Sequence, residues 1–312
     1  MKISVVVPVY NEESNIVKLV DKISNILNGY NFELIFIDDG SQDSTLEILK
    51  KVGTENPNIH YLSLSRNFGH QSALKAGIDF ASGDCIISMD GDLQHPPEII
   101  HLMIEKWKEG YNIVYTQRKE DNDLSFFKQL TSVFFYKLMN FLSDINIEPG
   151  TADFRLIDRK VADIIKNMKE YHLFIRGYVS WIGFKKYKID YSPNKRHSGT
   201  TKYSIKKMIS FAINGITSFS IRPLRLAILF GIIISSVSFL YALYALYAFL
   251  FSDRVISGWA SVIISVLLIG GIQLIVLGII GEYIGKIFIQ AKERPMYIIS
   301  ENSLTNQLPD NS

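Results

Sequence analysis

The sequence predicts a doubly wound α/β domain, a mostly parallel sheet with helices on both faces, followed by a two-helix membrane hairpin. Three observations predict it. Short apolar runs alternate with helix-patterned stretches in the first part of the chain. Those runs are apolar on both faces, as the strands of a covered parallel sheet are. Two later segments, Leu226–Phe251 and Val255–Gly281, contain no charged residue.

The strand candidates are Ile3–Val7, Phe32–Ile37, Ile59–Ser63, Cys85–Met89 and Asn112–Thr116. Between them lie helical stretches at Glu13–Leu27, Ser44–Lys51, Gln71–Ala81 and Pro97–Lys108. Regular strand–helix alternation points to a parallel, doubly wound sheet. Ligands of such sheets bind at the carboxyl ends of the strands. Pro8, Tyr10 and Glu12 follow the first strand, Asp38 and Asp39 the second, Asp90 and Asp92 the fourth, and Arg118 the fifth. No Gly-x-Gly-x-x-Gly follows the first strand, and no Gly-Lys-Ser/Thr loop occurs. The dinucleotide and P-loop readings therefore lose their main support.

The chain has 312 residues, enough for one large soluble domain and a small membrane region. Apolar residues make up 47% and charged residues 21%, and the net charge is +2. So small a charge argues against nucleic-acid binding. The one cysteine, Cys85, excludes an internal disulfide and a multi-cysteine zinc site; its apolar run marks it as core. Met1-Lys2-Ile3 enters a strand at once, so no signal peptide is expected and the large domain is expected in the cytosol.

Each charge-free segment exceeds the ~20 residues needed to cross the hydrocarbon core. The short linker Ser252-Asp253-Arg254 makes them a hairpin. Basic residues flank it on one side: Lys202, Lys206, Lys207, Arg222 and Arg225 before, Lys286, Lys292 and Arg294 after. The positive-inside rule then places both termini in the cytoplasm. Gly270, Gly271, Gly278, Gly281 and Gly285 are expected to allow close helix packing. Ser204–Phe219 carries an apolar stripe with Lys206 and Lys207 off it, the pattern of a helix lying on the bilayer. Leu124–Leu142 is either a core helix or a second membrane-contacting one. The polar end, Glu301–Ser312, is expected to be disordered.

Chemistry concentrates in five places. Asp90-Gly91-Asp92-Leu93-Gln94 follows an apolar run. Taken as an extended strand end, it puts Asp90, Asp92 and Gln94 on one face. One or two carboxylates can hold Mg2+ or Mn2+ with positions left for phosphate oxygens. Asp-Gly-Asp is equally good turn chemistry. Asp38-Asp39 either bonds sugar hydroxyls or a base N–H, or caps the next helix. Pro8-Val9-Tyr10-Asn11-Glu12 sets an aromatic ring beside a carboxylate, suited to a nucleobase and ribose, or is only a turn. Lys195–Tyr203 mixes cations, glycine and hydroxyls, which suits either a phosphate-clasping loop or a juxtamembrane patch on anionic lipid. Asp153-Phe154-Arg155, expected between the sheet and the membrane region, offers a general base or an ion pair with Arg155 or Arg159. The six histidines show no metal-ligand spacing and are read as structural or solvated, with His95 the one placed near the site.

The set of motifs resembles glycosyltransferase family 2, in its polyprenyl-phosphate branch of bactoprenol glucosyltransferases and dolichyl-phosphate mannose synthases. It comprises VVPVYNEE (Val6–Glu13), DDGS (Asp38–Ser41), SRNFGHQSALKAG (Ser65–Gly77), DGDLQHPPE (Asp90–Glu98), ADFRLIDR (Ala152–Arg159) and GIIGEYIGKIF (Gly278–Phe288). ITSFSIRPLRL (Ile216–Leu226) looks most like the bactoprenol group. The resemblance implies a GT-A catalytic domain over residues 1–203, an interfacial helix over 204–223, two membrane helices within 224–285 and a cytosolic tail over 286–312. It implies that Pro8, Tyr10, Glu12 and Asp39 hold the nucleotide. Asp90, Asp92 and Gln94 would take Mg2+ or Mn2+ and the diphosphate. Arg118, Arg196 and Lys202 match the phosphate-binding cations, and Asp153 the proposed catalytic carboxylate. His95 departs from the family's frequent LQDPPE.

The expected reaction is inverting transfer of a hexose, glucose first, from a UDP-sugar to undecaprenyl phosphate at the cytoplasmic face of the membrane. GDP-mannose, UDP-N-acetylglucosamine and a UDP-aminoarabinose are alternative donors. A non-catalytic, membrane-anchored nucleotide-sugar sensor is the alternative from another class. The partners are a nucleotide-sugar, a polyprenyl phosphate and the bilayer, with room for a homo-oligomer. A phosphate monoester has a second pKa of ~6, so the acceptor is already largely ionised. Asp153 is therefore expected to orient the acceptor or balance cations rather than remove an essential proton.

Overall fold

The computed structural model describes residues 1–118, 137, 140–142, 150–171, 174–192, 216–217, 220–251 and 258–304. Lys195–Tyr203, with Arg196 and Lys202, lies outside those residues, as do His172 and most of the two amphipathic stretches, Leu124–Leu142 and Ser204–Phe219.

The chain alternates β1 (Lys2–Val9), α1 (Ile16–Ile26), β2 (Asn31–Asp38), α2 (Thr45–Glu55), β3 (Ile59–Leu64), α3 (His70–Phe80), β4 (Cys85–Ser88), α4 (Ile99–Lys108) and β5 (Ile113–Arg118). Then follow β6 (Thr151–Asp158), α5 (Arg159–Asn167), α6 (Ile175–Trp181), β7 (Lys186–Tyr191), α7 (Arg222–Phe251), α8 (Trp259–Ala291) and β8 (Ile299–Asn302). All described strands form one sheet in the order β7-β5-β6-β4-β1-β2-β3-β8. β1 pairs parallel with β2 and β4, β2 with β3, and β5 with β7. β6 runs antiparallel to both its neighbours, β4 and β5, and β8 runs antiparallel to β3.

The strands bury both faces, which makes the sheet the middle of three layers. Ile3, Val5 and Val7 of β1 pack with Ile16, Leu19 and Ile23 of α1. Val6 points the other way, among Ala73, Leu74 and Ala76 of α3. The α1 positions 16, 19, 20 and 23 are a helical stripe, and all four are buried. Each fully buried aliphatic side chain contributes ~1.5–3 kcal/mol. α3 lies so close to the sheet that a Cβ on Gly77 would come within 2.6 Å of Ile37 Cδ1.

Asp153-Phe154-Arg155 does not lie between the sheet and the membrane region: it is the middle of β6, and Ser88 faces Arg155. Strand alternation sends Phe154 and Leu156 into the α1–α4 side of the core. Asp153 and Arg155 share the opposite face with Ile157, toward α5 and α6. The expected disordered tail also begins differently. Glu301 and Asn302 end β8, opposite Ser63 and Leu62, and Lys50 Nζ pairs with Glu301 at 2.5 Å.

α7 and α8 are the two described helices long and apolar enough to cross a membrane by length and composition. The qualifying stretches are Arg222–Tyr241 and Leu268–Ala291, and neither is buried in the molecule. Gly270, Gly271, Gly278, Gly281 and Gly285 are not points of tight packing, since a Cβ on any of them would meet nothing within 4 Å. After α8 the chain is tied back to the domain. Gln290 accepts from Tyr171 N (2.8 Å) and donates to Lys169 O (2.7 Å), and Tyr297 OH donates to Asp79 (2.8 Å).

Candidate active site

The carboxyl ends of β1, β2 and β4 lie side by side, and the polar residues that follow them meet there. Asp38 and Asp39 are both buried. Asp38 accepts from Ser41 N and Ser63 Oγ, each at 3.0 Å. Asp39 accepts from Phe68 N (2.7 Å) and Gly69 N (2.9 Å), and so fastens the loop that enters α3. Burial pushes the Asp39 carboxyl up, against the pull of those two N–H groups. Neither carboxylate caps α2, whose N-cap is Ser44; Asp43 accepts from Thr45 N and Thr45 Oγ1 at the start of the helix. Asn11 takes φ +55°, accepts from Gln42 N and donates through its own N–H to Ser41 Oγ. Glu12 Oε2 accepts from Asn15, while the Tyr10 ring stands exposed beside Pro8 and Val9.

Asp90, Asp92 and Gln94 are not on an extended strand end. β4 stops at Ser88, and the segment turns, with Leu93 at φ +60°. The one-face argument for these three side chains therefore fails. The turn is pressed against β1: a Cβ on Gly91 would lie 2.7 Å from Val9 Cγ1 and 3.4 Å from Pro8 O. Only glycine fits that approach. A bulky residue at positive φ is a strained position, which a functional turn can hold when its surroundings fix it. Gln94 N donates to Asp92 Oδ1 (3.1 Å), and Asp90 N donates to His95 Nδ1 (3.1 Å). The His95 ring is itself fixed, stacked on Phe154 at 5.1 Å and edge-on to Tyr191 at 5.9 Å.

A charge cluster, partly exposed at His70 and Asp90 and buried at Asp153 and Arg155, continues from this turn. His70 Nε2 lies 2.9 Å from Asp90 Oδ1, and its Nδ1 is 4.0 Å from Asp153 Oδ2. Burial works against the imidazolium, but the Asp90 and Asp153 carboxylates outweigh it and hold the His70 pKa up. Burial would raise the Asp90 carboxyl, yet His70 and His95 bring it down. Asp153 is clamped: Arg176 gives Nε to Oδ1 (3.0 Å) and Nη2 to Oδ2 (2.8 Å), and Arg155 Nη2 reaches Oδ1 (2.8 Å). Burial would push the Asp153 carboxyl up, but Arg176 and Arg155 hold it far below the carboxylate range. Arg159, the other partner considered for Asp153, bonds Gly83 O instead.

Tyr191, at the end of β7, faces the same space. Burial pushes its phenol up to about 12, with Asp90 and Asp92 acting in the same sense and Arg118 and Arg176 opposing. Arg118 ends β5 with an exposed side chain, its N–H on Gly150 O (2.9 Å). The structure thus gathers Asp90, Asp92, Asp153 and Arg118, and sets Pro8, Tyr10, Glu12 and Asp39 along the neighbouring strand ends. Sequence reasoning missed His70, Arg176 and Tyr191. His70 begins a helix just after the loop that Asp39 fastens, a position that marks it in hindsight; Arg176 and Tyr191 carried no signal.

No group of three or more His, Cys, Asp or Glu suited to a metal occurs among the described residues. A hard cation held by one or two carboxylates and completed by phosphate and water needs no such cage. Asp90 and Asp92, partly exposed on one fixed turn, fit that donor set.

The model of the family described as Glycosyl transferase family 2 matches residues 4–165, from β1 through most of α5. The chain belongs to glycosyltransferase family 2. Similar proteins extend over nearly all of it. The uncharacterized glycosyltransferase YkcC of Bacillus subtilis is 47% identical over 301 residues, 96% of this chain and 93% of that protein. A prophage bactoprenol glucosyl transferase homolog of Escherichia coli is 41% identical over 96% of this chain and 98% of its own length. The bactoprenol glucosyl transferase of Shigella phage SfII is 41% identical over 98% of this chain and 100% of its own length. As a member of the family the protein is a glycosyltransferase. Its mixed sheet, covered by helices on both faces, is the GT-A fold.

Proposed function

We propose that the protein transfers a hexose, glucose first among them, from a UDP-sugar to undecaprenyl phosphate at the cytoplasmic face of the membrane, with inversion at the anomeric carbon. The observation that carries this reading is end-to-end similarity, through the two apolar helices, to proteins named bactoprenol glucosyl transferase. An acceptor whose tail gains ~0.8 kcal/mol per buried CH2 stays in the bilayer, so the strand ends must be brought to it. α7 and α8 would do this, with both chain termini on the cytoplasmic side.

Pro8, Tyr10, Glu12 and Asp39 would line the nucleoside, with the exposed Tyr10 ring against the base. Asp90, Asp92 and Gln94 would hold Mg2+ or Mn2+ and the diphosphate. When bound, the ion neutralises charge growing on the leaving nucleotide. Arg118, with Arg196 and Lys202 from the basic group, would hold the acceptor phosphate in line behind the sugar, and this positioning is the main source of rate. Asp153, locked between two guanidiniums, is a poor proton acceptor and would orient those cations.

The test is a panel of labelled nucleotide-sugars, each incubated with the protein, undecaprenyl phosphate and Mn2+. The reading expects label from UDP-glucose in a lipid that mild acid hydrolyses. Label from another donor alone would replace the sugar. Metal-dependent UDP binding with no lipid product from any donor would overturn the reading in favour of a sensor.

A further inference from the structure

Four consecutive residues, Phe68-Gly69-His70-Gln71, reach three separate parts of the site. Phe68 N (2.7 Å) and Gly69 N (2.9 Å) donate to Asp39, proposed above for the nucleoside. His70 Nε2 lies 2.9 Å from Asp90 Oδ1 on the donor turn. Gln71 Oε1 accepts from Ile175 N (3.1 Å), beside the Arg176 that clamps Asp153, and its Nε2 is 3.5 Å from Asp153 Oδ2. The chain is turned into this arrangement at Gly69, whose φ of +95° suits glycine.

Asp90 is held at two points. Its N–H donates to His95 Nδ1 (3.1 Å), and its Oδ1 meets His70. A carboxylate only accepts, so His70 Nε2 is the donor of that bond. Oδ2 is 3.6 Å from His95 Nε2, too long for a hydrogen bond, and has no hydrogen-bond partner among the described residues. One oxygen is thus engaged and the other open, on a side chain that is 36% exposed. A bond on one oxygen of a carboxylate fixes the direction in which the other points. Carboxylates that ligate metals are commonly held in this way, and loss of the holding partner costs about 10–100-fold in metal affinity or activity.

We propose that His70 is a positioning residue: by donating to Oδ1 it aims Oδ2 of Asp90 at the divalent cation. Its place in Phe68–Gln71 sets that aim relative to the nucleoside and acceptor ends of the site. This role rests on Asp90 being a cation ligand, as proposed above. It requires no change of protonation, since imidazole and imidazolium can both donate from Nε2.

The test is Mn2+ binding to the full-length protein in detergent with saturating UDP, read from the electron paramagnetic resonance signal of the free ion. Wild type is compared with His70→Ala, His70→Asn, His70→Gln, Asp90→Asn and the double variant H70A/D90N. The His70 side chain is 42% exposed, so its truncation opens no core cavity, and thermal unfolding should be unchanged. The expected loss of Mn2+ affinity in His70→Ala is about tenfold or more. His70→Asn, too short to reach Asp90, behaves alike, and His70→Gln, whose terminal N–H reaches about as far as Nε2, restores most of the affinity. In the Asp90→Asn background His70→Ala adds little, because both act through one ligand. Wild-type affinity in His70→Ala, with binding still weakened by Asp90→Asn, overturns the role of His70 and leaves the donor turn standing. Tighter binding in His70→Ala, or a full further loss in the Asp90→Asn background, also overturns it. No Mn2+ binding by wild type overturns the donor turn itself, and the role of His70 with it.

Discussion

Replacing Asp153 by Asn separates a positioning carboxylate from a catalytic base. The change removes a buried negative charge that three hydrogen bonds from Arg176 and Arg155 now satisfy. An Asn accepts through one oxygen and turns its NH2 against a guanidinium. Breaking a buried ion pair from one side costs ~3–5 kcal/mol. At 2–4 °C per kcal/mol for a domain of this size, the melting temperature should fall by roughly 6–20 °C. The sign of the pH effect follows from the depressed carboxyl. Its stabilisation is complete above the unfolded value of ~3.9 and disappears only as pH falls toward the lower folded value. Between pH 5 and 9 Asp153 stays ionised and contributes no limb to the rate profile. The assays are thermal unfolding by circular dichroism and label transfer to polyprenyl phosphate across that pH range. The expected variant is destabilised, with a raised acceptor KM and a flat response to pH. Suppose it melts like wild type, keeps its acceptor KM, and loses kcat about a thousandfold, within the range typical of a general base. If the wild-type profile also shows an acid limb near neutrality, the positioning argument is refuted.

Three other outcomes follow from single groups. Gly77→Ala sets a methyl within 2.6 Å of Ile37 and should cost ~1–3 kcal/mol in urea unfolding, as overpacked cores do; a neutral result would mean α3 sits farther from the sheet. The Cys85 thiol, buried and pushed up to about 12, should resist iodoacetamide at pH 8 in the folded protein and react at once in denaturant; prompt native labelling would contradict its burial. Burial would raise the Glu33 carboxyl, but Lys2, Ser4 and Ser82 bring it down, so its contribution is full above the unfolded value and lost as pH falls below it. Glu33→Gln should therefore narrow the stability gap between pH 7 and pH 3, and an unchanged gap would remove Glu33 from the account.

The first five strands were legible because each is a short apolar run buried on both faces, and the helices between them repeat their buried positions at helical spacing. β6 was not legible. One of its two buried faces carries Asp153 and Arg155, a charged pair that interrupts the apolar run of Phe154, Leu156 and Ile157 by which a buried strand is recognised. β8 escaped for the opposite reason: Ile299–Asn302 is short, mostly polar and at the sheet's edge, where pairing with β3 rather than side-chain burial holds it. The acidic positions of the candidate site, Asp38, Asp39, Asp90 and Asp92, were singled out from their place after apolar runs. Their geometry was not legible, since Gly91 and Leu93 reverse a segment that reads as extended strand. Arg176 joined the site through a contact with Asp153 across a long sequence separation, which no local signal encodes.

The central claim is that the Asp90–Asp92 turn holds a cation with the sugar's diphosphate for transfer to a lipid phosphate. The most direct measurement is initial-rate transfer of labelled glucose from UDP-glucose to undecaprenyl phosphate, by wild type and Asp92→Ala, with Mn2+ or with a chelator. The account predicts lipid-linked label from wild type with Mn2+, and a drop of at least about a hundredfold in the other arms, in line with the several kcal/mol such an ion supplies. Equal rates from the variant in chelator would contradict it.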